Sequence, residues 1–444
     1  MASRFAFLFL LYYMAILLTQ PQNRFVFLHP FRIANLSIMI AVGLHVLACM
    51  TENRPILRMG PATIIGFALL VFGVIAQYFG ALQPNTAWNP WIDTLVKSCI
   101  VMILTEAMCT SVQRVWAVQA TLLLSTIWWL KAGIRLAAAG STYGGGDRIM
   151  GPGVSLVENP NAFAYLLGLI IPVYLYFYHQ TQNKKLKYAY LFGAFVALYS
   201  VFNTGSRTGI VVLAFMGVFL IWRYARKQIF SLVVIAIAAS VIFSMTGQLN
   251  IERFKTIPDS IRSFLSNEEI NLDAVTDMDE HSAAERRLKN RDTWALVKQY
   301  PLFGIGMNPD ESLFADDFKH ATGMVHNEML MAGKQMGFIG IGLYYALLVT
   351  LFFGGLRSEW VARSWWPALS DMGWTFKLQA MTIFVGGQFS TMPWNPLMFI
   401  LVGAASALWP LARAERDARL GISDYAYTPA SPPPGALATA RTSS

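Results

Sequence analysis

Charge is scarce in this chain of 444 residues. Only 13% of them are Asp, Glu, Lys or Arg, while 55% are apolar, and mean hydropathy is +0.46. A soluble domain carries about twice that charge density. Cysteine is scarcer still. Cys49, Cys99 and Cys109 each lie inside an apolar run, which argues against a disulfide framework or a thiolate metal site and leaves small core residues. No CxxC, HExxH or GxxxxGK[ST] occurs, so nothing points to zinc or nucleotide chemistry, and no cofactor is expected. No internal repeat is visible.

What the sequence does contain is a succession of long apolar runs, the mark of an all-α polytopic membrane protein. About twelve transmembrane helices are predicted, near 5–20, 31–50, 61–81, 92–110, 114–138, 161–179, 187–203, 208–223, 228–247, 326–355, 374–390 and 396–412. The first run has no small-residue cleavage site and is followed by Gln20, Pro21 and Arg24, so it is expected to stay as a helix. The layout expected is helices 1–9 over residues 1–247 and a hydrophilic loop over 248–323. Helices 10–12 then take 324–413, and a disordered tail rich in Pro, Ala, Thr and Ser takes 414–444.

Cations set the orientation. With the N-terminus inside, the inner loops carry Arg54, Arg58, Arg114, Lys184, Lys185, Lys187, Arg223, Arg226, Lys227, Arg357 and Arg363. The short outer loops carry only Arg24, Arg148 and Arg207. This asymmetry puts both termini inside. It also accounts for most of the net charge of +9, so the cations read as topology determinants and no nucleic-acid partner is expected. The loop 248–323 then lies outside. It holds an acidic stretch from Glu268 to Glu285, a basic helical stretch ERRLKNRDTWALVKQY and a turn PLFGIG at 301–306. Its length marks a functional loop or subdomain.

Against that topology a few residues stand out. Arg207 in NTGSRTG and Arg148 in GGGDRIMGPG sit outside, where cations are otherwise avoided. Lys97 and Lys131 fall in the outer halves of apolar spans, either snorkelling to the interface or facing a partner. Arg286, Arg287 and Arg291 lie in the outer loop, where acids are also close enough to pair with them. Arginine binds phosphate oxygens in a bidentate manner, and Gly144 to Gly146 expose backbone N–H groups. The set fits a phosphate or diphosphate at one membrane face. His326 and Asn327 open the run MVHNEMLMAGKQMGFIGIGLYYALL. On a continuous helix Gly333, Gly337 and Gly340 would share the face of His326 and form a groove. A helix N-terminus also disfavours imidazolium, leaving a neutral base.

HNEMLMAGKQMGFIG resembles the pattern of the O-antigen ligase and O-antigen polymerase superfamily: His, then Asn, Ser or Gln, nine residues, then GxxG. His326, Asn327, Gly337 and Gly340 match it. The Arg-rich helix before PLFGIG, with Trp294 displaced, resembles the family's Arg-x-x-x-Trp…Pro-Leu-x-Gly-x-Gly stretch. Spacing back from Pro301 favours Arg286, with Arg287 and Arg291 as alternatives. GSRTG resembles its Ser-Arg-x-Gly. RIMGPGVSLVENPNAFA resembles its Gly-Pro…Asp-Pro-Asn stretch, with Glu158 and Asn159 for Asp. The resemblance spans roughly 90–355. The spacing of Lys97 and Lys131 is also similar to the branch of O-glycosylation ligases that accompany exosortase systems.

The resemblance implies glycosyl transfer at the periplasmic face of a bacterial inner membrane. The donor is a glycan on undecaprenyl diphosphate, and the acceptor is a hydroxyl of lipid A-core, a polysaccharide or a protein. Arg207, Arg286 and His326 are the expected catalytic residues. Arg148, Lys97, Lys131, Arg287, Arg291 and Asn327 are expected to bind substrate, and the glycine groove to take a polyprenyl chain. Inversion without a metal is expected, since no carboxylate pair stands out for retention. A polysaccharide polymerase of the same superfamily is one alternative. A secondary transporter of an anionic lipid or sugar is another, and the missing repeats and the large outer loop tell against it.

Overall fold

The computed structural model describes residues 2–23, 25–82, 88–89, 91–139, 148–151, 159–224, 278–307, 318, 320–321, 323–389 and 393–421. The expected span 228–247, the glycines 144–146, most of the acidic stretch and the end of the tail lie outside them.

All regular structure among the described residues is helical. In order it runs α1 (Ala2–Thr19), α2 (Ile33–Thr51), α3 (Pro61–Phe79), and a π-helical turn (Trp91–Val96) leading into α4 (Lys97–Met108). Then come α5 (Val112–Ala138), α6 (Pro160–Gln180), α7 (Lys184–Asn203), α8 (Arg207–Tyr224), α9 (Met278–Gln299), α10 (Glu328–Ala362), α11 (Pro367–Gly387) and α12 (Pro396–Arg419). Every expected span except 228–247 falls on one or more of these. Among the described residues seven helices are long and apolar enough to cross a membrane, so the chain is a multi-pass membrane protein.

The helix starts are written in the sequence. Asn159, Asn183, Asn327 and Asn395 are N-caps whose side-chain oxygens accept backbone N–H groups of the first turn. Proline follows directly in Pro160 and Pro396, where its missing N–H costs nothing. Helices α6 and α12 are largely buried inside the bundle, while α2 and α3 expose Met39, Met50, Tyr78 and Phe79 on its outside. Such apolar exposure suits a lipid-facing ring. Polar side chains join the helices across the apolar interior. Gln119 of α5 and Gln379 of α11 exchange amide hydrogen bonds of 3.0 and 3.2 Å. Glu106 of α4 accepts from the Thr63 backbone N–H at 2.7 Å and from the Thr63 and Ser406 hydroxyls, capping the start of α3. The three cysteines are free and buried, as small core residues should be.

Candidate functional site

The run that looks like one continuous helix is two. Met336 (φ −140°, ψ 21°) and Gly337 (φ 64°, ψ −162°) break α10 into a short arm, 328–335, and a long arm, 338–362. The arms fold back on each other. The Tyr344 hydroxyl donates to Glu328 at 2.7 Å, and the Tyr345 hydroxyl meets the Met329 sulfur at 3.1 Å. A straight helix would hold residues sixteen apart about 24 Å from each other. A side chain on Gly340 would lie 2.7 Å from the Ala332 carbonyl oxygen, and one on Gly333 would lie 2.8 Å from Ile341. These four pairs are all symmetric about residues 336–337, so the unit is an antiparallel helical hairpin.

This corrects the expected glycine groove. The three glycines do not line a face below His326. Gly337 supplies the left-handed turn, where its φ is open to glycine at no steric cost. Gly333 and Gly340 let the arms touch. The turn 301–306 fills the remaining space. Phe338 N–H donates to the Pro301 carbonyl at 2.7 Å, and Ile305 N–H to the Lys334 carbonyl at 2.8 Å. One loop thus caps the end of the short arm and the start of the long arm, both of which would otherwise leave backbone groups unsatisfied. Gly304, at φ 67°, sits so close that a side chain there would meet the Lys334, Gln335 and Met336 backbone at 2.6 Å. The two glycine motifs are two halves of one joint.

His326 immediately precedes the short arm, and the residues around it are tied down. Lys334, 4% exposed, donates to the Ala321 and Gly323 carbonyls at 2.7 and 3.2 Å. Asn327 caps the arm through Leu330 N–H at 3.0 Å and donates to Gln388, just beyond α11, at 3.2 Å. Glu328, 1% exposed, is buried behind them. Burial pushes the His326 imidazole down to about 4; Arg286 and Lys289 of α9 push the same way, and Glu285 opposes them. The imidazole is neutral at pH 7. The expected neutrality holds, but burial and the α9 cations cause it.

A second knot forms where two sequence motifs meet. Arg148 donates to the Thr204 carbonyl at 3.0 Å and to Asn161 of α6 at 3.3 Å. The same Asn161 oxygen accepts from the Ser206 hydroxyl at 2.8 Å, and Ile149 N–H donates to the Asn203 carbonyl at 3.1 Å. Arg207 is the next residue, the first of α8. One turn below Asn161 on α6, Tyr165 lies against Gly386, while neighbouring Gly387 lies against Glu328 and Tyr344. The Arg148 knot and the foot of the short arm are therefore packed on adjacent parts of α6 and α11, at one end of the bundle.

The other expected residues are placed differently. Lys97 pairs with Asp93 in the π-helical turn at 2.7 Å. Lys131 is exposed, its ammonium 5.7 Å from the Trp128 ring centre. Arg291 is exposed and meets Asp292 at 3.2 Å. Arg287 is half-buried on α9. Sequence reasoning passed over Lys289, although it lies three residues after Arg286 on one helix face. It also passed over Glu328 and Lys334, because the surrounding run is apolar. Among the described residues no group of three His, Cys, Asp or Glu side chains could hold a metal ion.

Helices, hairpin and cation-flanked neutral histidine define a membrane protein with a polar site at one end of its bundle. Residues 192–345 match the O-antigen ligase family, and residues 1–182 match a family of unknown function, DUF5935. The match over residues 192–345 supports a place in the O-antigen ligase superfamily and suggests chemistry of the glycan-transfer type. No curated protein matches it. The Arg148 knot crosses the two matched segments: Arg148 and Asn161 lie in one, Thr204 and Ser206 in the other.

Proposed function

We propose that the protein transfers a glycan from a polyprenyl diphosphate, undecaprenyl diphosphate by family resemblance, to an acceptor hydroxyl at the periplasmic face of a bacterial inner membrane. The observation that carries this reading is a buried, neutral His326 with Arg286 and Lys289 beside it. A neutral imidazole can take a proton, and the cations suit an anionic leaving group.

His326 removes the proton from the acceptor hydroxyl. The acceptor oxygen bonds to the anomeric carbon while the bond from that carbon to the diphosphate oxygen breaks. The electron pair leaves on the diphosphate, which Arg207 and Arg286 hold, and the configuration inverts. Arg148 acts by holding the turn that starts α8, and so the backbone of Arg207. Asn327 positions His326 through its cap. Lys97, Lys131, Arg287 and Arg291 remain proposed contacts to the donor or to lipid. The acceptor is a sugar of lipid A-core or a polysaccharide, or a protein side chain as in the exosortase-associated branch.

The test is transfer from a polyprenyl-diphosphate glycan by the full chain purified in detergent with EDTA present. Product should form. Arg207→Lys and Arg286→Lys should each lose about 10²–10³ in rate, since a point charge lacks the bidentate fork. Product formation that needs added metal, or native rates in both variants, overturns this mechanism.

A further inference from the structure

We infer that Glu328 and Tyr344 form a positioning staple that fixes the height and angle of His326 by tying the short arm of α10 to its long arm. The inference rests on the role proposed above for His326. Neither residue was among the expected functional positions.

Three consecutive residues after His326 are each held, one by the segment beyond α11 and two by the long arm. Asn327 is bonded to Gln388 beyond α11 at 3.2 Å, Glu328 to Tyr344 at 2.7 Å, and Met329 to Tyr345 at 3.1 Å. The middle contact is the strongest kind, a phenol donating to a carboxylate. Glu328 is 1% exposed and Tyr344 fully buried. The pair is roofed by α11: a side chain on Gly387 would lie 2.7 Å from the Tyr344 hydroxyl and 2.9 Å from Glu328. A carboxylate in such a place is costly to desolvate, and an apolar pair of similar size would hold two helices together at less cost. What a directional bond adds is a defined position. The hairpin turn at 336–337 restrains the far end of the short arm, and PLFGIG caps it there. The staple restrains the near end, two residues from the imidazole. A misplacement of about 1 Å at a reacting group can cost about 10²-fold in rate.

The experiment uses the full chain in detergent and three substitutions. Tyr344→Phe removes one hydroxyl. Glu328→Leu removes the acceptor. Glu328→Gln keeps an acceptor oxygen and removes the charge. Tyr344→Phe and Glu328→Leu should lower kcat about 10–100-fold with the donor KM little changed, and Glu328→Gln should recover most of the loss. Hydrogen exchange of amides 328–335 should speed up in Tyr344→Phe while 345–362 stays as protected as before. Wild-type kcat and exchange in Tyr344→Phe overturn the staple. Equal losses of kcat and melting temperature in all three, without rescue by Gln, also overturn it in favour of plain structural support. If the wild-type protein forms no glycosyl bond, the proposed function falls, and the exchange measurement still decides the staple.

Discussion

The two ends of the bundle treat charge in opposite ways. At the end away from His326, four charges from three helices cancel. Arg223 of α8 meets Glu359 of α10 at 2.9 Å and Asp371 of α11 at 2.5 Å. Lys377 of α11 meets the other Glu359 oxygen at 2.6 Å. Both cations lie over the Trp374 ring, at 4.6 and 4.2 Å from its centre, and Gln180 of α6 donates to Asp371 at 3.1 Å. At the His326 end the charges surround a titratable base, and Lys289 meets Glu285 at 3.4 Å. Arg286 and Lys289 outweigh Glu285 at the imidazole. Arg148 gives N–H groups to a carbonyl and an amide. A network that closes on itself holds helices together. A neutral base with cations near it is suited to chemistry on an anionic substrate.

The sharpest way to break this contrast is at the base. His326→Ala should abolish detectable transfer, since general-base assistance is worth about 10²–10⁴ in rate. His326→Gln should be equally inactive, because it hydrogen-bonds but cannot take the proton. Expression and donor binding should be unchanged, checked by binding of a labelled polyprenyl-diphosphate glycan. Transfer by His326→Gln at the wild-type rate would return the histidine to the status of a cap.

The opposite end should fail differently. Glu359→Ala leaves Lys377 without its carboxylate and Arg223 with one of its two. Removing one partner of a buried pair costs about 3–5 kcal/mol. The melting temperature should drop clearly, while the fraction that remains folded turns over as before. Glu359→Gln should fall between. If Glu359→Ala instead lowered kcat at unchanged melting temperature, the two ends would be coupled, and the separation of roles drawn above would be wrong.

The helix positions are legible in the sequence; the closed charge network is not, because its partners on α8, α10 and α11 meet only in three dimensions. Span positions follow from apolar runs bounded by Asn and Pro, which is why α6 and α12 begin where the sequence says they do. The fold-back of α10 is invisible to that signal. After Glu328 only Lys334 and Gln335 interrupt the apolar run before Met336 and Gly337, and a period of 3.6 carries no information about a two-residue reversal. The spacing of Gly337 and Gly340 was noticed, but was fitted to a straight helix. PLFGIG was read as a turn, and its partner could only be found in three dimensions. Glu328 was hidden by its apolar neighbours. Lys289 was hidden by the preference for arginine as a phosphate ligand, although its spacing from Arg286 would have found it. Arg148, Asn159 and Asn161 stand in one quoted stretch and the Ser-Arg segment in another; that Asn161 joins Arg148 to Ser206 cannot be read from their spacing.

The smallest predicted effect tests the field itself. His326 sits at about 4 because it is buried and because two cations outweigh one acid. As the proposed base it works in its neutral form, so transfer should be flat from pH 7 downward and fall only as pH approaches that value. Lys289→Met removes a positive neighbour, makes imidazolium easier to form, and should move the acid limb to higher pH. Glu285→Gln removes the opposing charge and should move it lower. The same depression bears on stability. The folded imidazole binds its proton less readily than an unfolded one at about 6.5, so its contribution is lost as pH falls from about 6.5 towards 4. Imidazole titration by NMR, or the pH dependence of kcat/KM, measures both shifts. Opposite displacements from the two variants would establish that α9 sets the charge state of His326. Displacements in the same direction would show that the variants act through the packing of α9, leaving burial alone to hold the base neutral.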